Sequence, residues 1–192
     1  MRHFLILFDE FPIDMASVKS GNNSREVITA TRCVNVSLFI SGNLRRDVIV
    51  SLAKGYPHDL KIITFPGANL KRVSPDERSI SFFLMKAISI AEEQGMDSLE
   101  TMDNGIEVRR ISLKNFLEFF SPMRIYLSTP GITSCSIEDA EYENSLVIYS
   151  IGKQLDFVNE KATWIQEKLP YYLHPERFIL EINMIMDMKK AS

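Results

Sequence analysis

The chain has 192 residues, 45% of them apolar and 24% charged, which fits a globular protein with one substantial core and excludes extended disorder. A net charge of −3 excludes a uniformly basic coat for indiscriminate nucleic-acid binding. Only Cys33 and Cys135 occur, without a CxxC pair or histidines at ligand spacing, so neither a disulfide framework nor a structural zinc site is indicated and no metal is expected.

Residues 2–8 form a near-continuous apolar run closed by Asp9, Glu10 and Pro12, which reads as a short buried strand. The run meets those acids too soon for a signal peptide, and no stretch approaches the roughly 18 apolar residues of a membrane span. A cytoplasmic protein with no membrane partner is expected. Residues 12–23, rich in Ser, Gly and Asn, read as a loop. Residues 24–41 read as a helix capped by Ser24, with Val27, Ile28, Val34, Leu38 and Phe39 on its apolar face and Gly42 at its end.

Residues 47–54 and 59–65 read as strands, rich in β-branched side chains and punctuated by Gly55, Pro57, Pro66 and Gly67. A helix then starts at Ser74, where Ser74 and Glu77 form a capping box and Pro75 occupies the first turn. Ile80, Phe83, Leu84, Ala87, Ile88 and Ala91 give it one apolar face, and Gly95 stops it. A loop through Asp103, Asn104 and Gly105 leads to a strand at 106–111, a helix at 113–120 and a strand at 124–127.

Residues 129–144 are polar and acidic and read as a surface connection. A buried strand at 145–151, a helix at 158–168 and a loop or short strand at 169–174 follow. The last helix, from Pro175 to about residue 190, carries Phe178, Ile179, Ile182, Ile185 and Met186 on one face and Leu180, Met184 and Met188 on another. Two apolar faces on one helix predict a homodimer through that helix, or a doubly buried terminal helix. Strands alternating with helices imply a single α/β domain over residues 1–192, with helices on both faces of a largely parallel sheet.

The arginines are unevenly placed. Arg2, Arg25, Arg32, Arg45, Arg46, Arg72, Arg78, Arg109 and Arg110 precede residue 111, and only Arg124 and Arg177 follow it. Guanidinium groups grip phosphates through paired hydrogen bonds, so the first half has the means to hold RNA. Solvated arginines balanced by neighbouring acids are the alternative. His3, His58 and His174 show no hydrolase pattern, and no GxSxG elbow occurs.

Lys71-Arg72-Val73-Ser74-Pro75-Asp76-Glu77-Arg78-Ser79-Ile80 resembles the KxxSPDERS segment of the archaeal tRNA pseudouridine N1-methyltransferases, a branch of the SPOUT superfamily. Arg32-Cys33-Val34, Leu44-Arg45-Arg46-Asp47-Val48 and Gly105-Ile106-Glu107-Val108-Arg109-Arg110 resemble further segments of that family, in its order. Leu169-Pro170-Tyr171-Tyr172-Leu173-His174 is similar to its SPLxLH loop, Leu127 matches the leucine closing its IYYL strand, and Asp187 matches an aspartate near the end of its last helix. The family's Gly-Asp-His is replaced by Ser150-Ile151-Gly152-Lys153, and its cysteine falls at Phe178.

The resemblance implies a SPOUT-type fold with a trefoil knot at about 124–190, S-adenosyl-L-methionine as methyl donor and a pseudouridine of the tRNA T-arm, position 54, as acceptor. It places the cofactor at Leu127, Ser150, Gly152, Lys168, Leu169, Pro170, Tyr171, Tyr172, Leu173 and Phe178, and RNA at Arg45, Arg46, Arg72, Arg78, Arg109 and Arg110. No catalytic residue is assigned; Asp47 and Asp76 suit a strand start and a helix dipole as well as proton transfer. The alternatives are a catalytically degenerate SPOUT-fold RNA-binding or scaffold protein, and a methyltransferase with another RNA target.

Overall fold

The computed structural model describes residues 1–121, 123–131, 133–151 and 167–191. The chain begins with β1 (Arg2–Phe8), α1 (Met15–Ser20) and α2 (Arg25–Leu38), followed by a small hairpin of β2 (Phe39–Ile40) and β3 (Asn43–Leu44). Next come β4 (Val48–Tyr56), β5 (Asp59–Pro66), α3 (Glu77–Glu93), β6 (Ser98–Thr101) and β7 (Glu107–Ile111). The second half supplies α4 (Leu113–Phe119), β8 (Arg124–Ser128), β9 (Ser145–Ser150), β10 (Glu167–Leu169) and a last helix, α5 (Pro175–Ala191).

Eight of the strands form one sheet in the order β10-β8-β9-β1-β4-β5-β7-β6. It is parallel from β10 to β4 and antiparallel from β4 to β6. The switch comes at Pro57-His58, a two-residue connection that turns β4 straight back into β5, with Tyr56 paired to Asp59. Gly55 has φ +105°, and a Cβ there would meet the Asp59 carbonyl oxygen at 2.5 Å, so the approach to this turn requires glycine.

All seven residues of β1 are buried because both sheet faces are covered at the centre. Phe4, Ile6 and Phe8 face α2, α3 and α5, whereas Leu5 and Leu7 face Leu113, Phe116 and Leu117 around α4. Among the described residues no helix is long and apolar enough to cross a membrane.

Several sequence expectations are corrected. Helix α1, read as loop, is capped by Asp14, which accepts from the Ser17 amide, and ends at Gly21 in the left-handed region. Helix α3 is capped by Asp76, not Ser74: Asp76 accepts from the Ser79 amide at 2.8 Å, and Glu77 instead accepts from Asn23 at 2.9 Å. Within 129–144, Ile137, Ala140 and Tyr142 are core residues, and the Tyr142 hydroxyl donates to the Ile137 carbonyl at 2.9 Å. Glu167–Leu169 is a strand beside β8, since Lys168 pairs with Leu127. The rest of the helix expected at 158–168 lies outside the described residues.

Arg2 is 1% exposed, and three side chains from two segments converge on it. Its Nε donates to Asn183 Oδ1 at 2.9 Å, one terminal nitrogen donates to Asp187 Oδ1 at 3.2 Å, and the other donates to Asp47 Oδ2 at 3.4 Å. Arg45 donates twice to Asp187 Oδ2, at 3.0 and 2.8 Å. Asn183 Nδ2 donates to the carbonyls of Val36 and Ser37, satisfying acceptors in the last turn of α2. Asp187→Ala is expected to lower unfolding free energy by about 2 kcal/mol, because Arg2 stays buried with only neutral Asn183 and the longer contact to Asp47 as partners. Urea denaturation with an unchanged m-value checks this.

Candidate active site

Ligands of open α/β sheets bind beyond the carboxyl ends of the parallel strands. Here the ends of β1 and β9 meet the 170–174 loop and the first turn of α5. Ser128, closing β8, donates from Oγ to the Pro170 carbonyl at 2.8 Å, and the Tyr149 hydroxyl donates to the Tyr172 carbonyl. The Tyr149 ring stacks on Tyr171 with centroids 5.2 Å apart and packs on Phe178 at 5.6 Å. Burial pushes the Tyr149 hydroxyl pKa well up, which keeps it a hydrogen-bond donor.

A cavity of about 340 Å³ opens beside this loop. Phe8, Tyr149, Ile151, Tyr171 and Leu173 give it aromatic and aliphatic surface, and Arg25, Ile28, Thr29 and Arg32 of α2 form another wall. Glu176, in the first turn of α5, adds an acidic group, as does Glu26 of α2. The Oε1 of Glu176 lies 3.8 Å from Arg32 Nη1 and 4.0 Å from His174 Nδ1. Its Oε2 is buried with no hydrogen-bond partner among the described residues. A buried carboxylate oxygen without a donor is costly, so a bound ligand with a hydroxyl or ammonium there has a place to donate. Burial, and then Glu176, hold the adjacent Cys33 thiol well above its ordinary pKa.

The described residues among those expected to hold a cofactor separate into four groups. Tyr171 and Leu173 line the cavity, and Phe178 and Tyr172 pack together beneath the loop at 5.8 Å. Leu169, Pro170 and the exposed Lys168 lead into the loop, while Leu127 and Ser150 are buried, with the Leu127 side chain in the core on the α4 face. Gly152 lies outside the described residues.

The six arginines expected to hold RNA do not form one patch. Arg45 is committed to Asp187, and Arg110 clamps Asp59 through two bonds of 2.7 and 2.8 Å, which holds the Asp59 carboxyl below its usual range. Arg46 donates to the Gly67 carbonyl at 3.0 Å, and Arg72 pairs with Asp103 at 2.9 Å. Arg78 borders a cavity of about 380 Å³ with Met15, Lys19 and Phe82. Arg109 lies 5.5 Å from the Phe119 ring centre, on the sheet face opposite Arg110. Sequence reasoning missed Arg25, Arg32, Tyr149 and Glu176 at the cavity. The signal for the α2 wall is the i, i+3, i+4, i+7 spacing of residues 25, 28, 29 and 32.

The profile of a SAM-dependent RNA methyltransferase family matches residues 1–188. The tRNA (pseudouridine(54)-N(1))-methyltransferase of Methanocaldococcus jannaschii is 32% identical over 174 residues, covering 83% of this chain and 82% of that one. Its counterpart in Methanococcus maripaludis strain C6 is 30% identical over 174 residues, with 83% of each chain covered. The crystal structure of Archaeoglobus fulgidus Nep1 bound to S-adenosylhomocysteine superposes with a TM-score of 0.61 at 9% identity, covering 100% of this chain and 99% of that one. That likeness is one of fold, and the fold is of the SPOUT class.

Tyr149→Phe removes the hydroxyl that holds the Tyr172 carbonyl. It is expected to cost about 1 kcal/mol in urea unfolding, with faster proteolytic cleavage in the 170–174 loop.

Proposed function

The chain belongs to the family of SAM-dependent RNA methyltransferases, and on that premise we propose that it methylates N1 of pseudouridine 54 in the T-arm of tRNA. The acceptor is supported by the names of relatives about 30% identical over 83% of the chain. The structural observation that carries the reading is the cavity at the ends of β1 and β9, where the 170–174 loop, α2 and Glu176 meet.

The residues present fit S-adenosylmethionine. Tyr149, Tyr171 and Leu173 offer flat apolar surface for an adenine, and Glu176 Oε2 lacks the donor that a ribose hydroxyl or an ammonium group would supply. When bound, the cofactor supplies a methyl group on a sulfonium, open to in-line attack. The loop carbonyls of Pro170 and Tyr172 are already held by Ser128 and Tyr149, so the 170–173 backbone is set before a ligand enters. Arg25 and Arg32 flank the cavity and suit the phosphates or the uracil carbonyls of an incoming nucleotide. Leu127, Ser150, Lys168 and Leu169 act through backbone position, and the knot expected at about 124–190 lies in part outside the described residues. The enzyme works on tRNA in the cytoplasm, and residues 1–192 act as one domain.

The proposed enzyme is a homodimer joined through α5, whose Leu180, Met184 and Met188 are 41, 55 and 63% exposed in the protomer. Light scattering at micromolar concentration should give a dimer mass, and Met184→Glu should halve it. A monomeric wild-type protein contradicts this assembly.

The substrate assignment is tested with two synthetic T-arm stem-loops that differ only in pseudouridine or uridine at position 54. Mass spectrometry should show one added methyl group on the pseudouridine RNA and none on the uridine RNA. Methylation of both equally, or of neither while another RNA is modified, overturns the assignment.

A further inference from the structure

On the α4 face of the sheet, at the opposite end of β1 from the candidate active site, lies another cavity, of about 200 Å³. His3 and Phe8 are five residues apart, so the two cavities are separated by about 16 Å along the strand. Its walls come from four strands adjacent in the sheet: His3 of β1, Ile49 of β4, Thr64 of β5, and Glu107 and Arg109 of β7. Phe116, Phe119 and Phe120 of α4 and its C-terminus close it from above.

Three features set this cavity apart from ordinary core. Phe119 is 66% exposed, yet its ring packs on Phe120 with centroids 5.1 Å apart, so it is held in place with one face towards Arg109 and much of the ring open to solvent. Arg109 sits over that face at 5.5 Å and, among the described residues, is in no ion pair. The floor is polar and neutral. His3 is 3% exposed, its Nε2 shares a 2.7 Å hydrogen bond with Ser51 Oγ, and its Nδ1 has no partner among the described residues. Burial lowers the His3 pKa to about 3, and Ser51 Oγ continues to Thr64 Oγ1 at 2.7 Å. An aromatic face beside an unpaired guanidinium is the pairing that grips single-stranded RNA, one group stacking on a base and the other holding its phosphate.

We propose that this cavity docks one unpaired base of the RNA substrate, with Phe119 as the stacking surface, Arg109 on the adjoining phosphate, and Thr64 and Glu107 beside the base edge. The nucleotide held here is not the methyl acceptor, since the cavity lies at the other end of the strand and on the other face of the sheet. The inference rests on the RNA methyltransferase reading and adds a second contact to it.

The test uses the full chain and a fluorescently labelled T-arm stem-loop, with anisotropy as readout. Phe119→Ala should weaken RNA binding about ten-fold. Arg109→Gln should weaken it comparably and reduce the slope of log affinity against log salt by about one. Calorimetric binding of S-adenosylhomocysteine to both variants should match the wild type, which shows that each is folded. Unchanged RNA affinity in both variants overturns the proposal while leaving the methyltransferase reading intact. A variant that changes oligomeric mass with unchanged RNA affinity overturns it in favour of an interface between copies. Wild-type protein that binds neither the RNA nor S-adenosylhomocysteine overturns both.

Discussion

Arg2 is a cation placed almost wholly out of water, and a buried guanidinium is tolerated only where carboxylates and carbonyl-type oxygens surround it. Burial lowers its pKa; the carboxylates of Asp47 and Asp187 act in the opposite direction and keep it charged. One of those carboxylates leads into β4 and the other lies near the end of α5, so the ion cluster joins the first strand to the last helix. Arg45 on the same Asp187, and Asn183 on the last carbonyls of α2, fix the rotation of α5 as well as its position. Asp187 and Glu176 are eleven residues apart, or about 16 Å of helix, which is most of the roughly 20 Å span of β1. A helix anchored beside Arg2 therefore delivers Glu176 and Phe178 to the far end of the same strand, where the candidate active site lies.

The loop at that site is set without charged side chains. The 170–173 backbone is held by two hydroxyls, Ser128 Oγ and Tyr149 Oη, and its underside is filled by Phe178. Pockets built this way present backbone groups and flat aromatic surface. Phe178, standing at the family's cysteine, has no exposed surface and packs under Tyr149 and Tyr172. Its extra volume fills the base of the loop rather than the cavity.

Much of the fold is legible because its elements are long and periodic. The unbroken apolar run of β1 marks a strand buried on both faces, and the three- and four-residue steps of α2 and α3 mark helices packed on a core. The elements that escape are short or polar. Helix α1 has six residues and one buried side chain, β6 is an edge strand with mostly exposed residues, and three core side chains in 129–144 are too few for a period. Asp76 outcompetes Ser74 as a cap, a choice between two good capping residues that local sequence does not decide. At the site, the 170–174 loop is recognisable by its motif. The arginines are not separable by sequence: Arg45 is claimed by Asp187, 142 residues away, and Arg110 by Asp59 across the sheet. Arg25 and Arg32 look like the solvated side of a helix until β9 and α5 are placed beside them.

The most direct measurement is calorimetric titration of the purified protein with S-adenosylmethionine and, separately, with S-adenosylhomocysteine. The account predicts that both bind with micromolar affinity, about −8 kcal/mol, because the loop, the aromatic surface and the free Glu176 oxygen are already in place. A protein that is folded by circular dichroism and shows no heat of binding at several temperatures contradicts it, and leaves a fold without its cofactor.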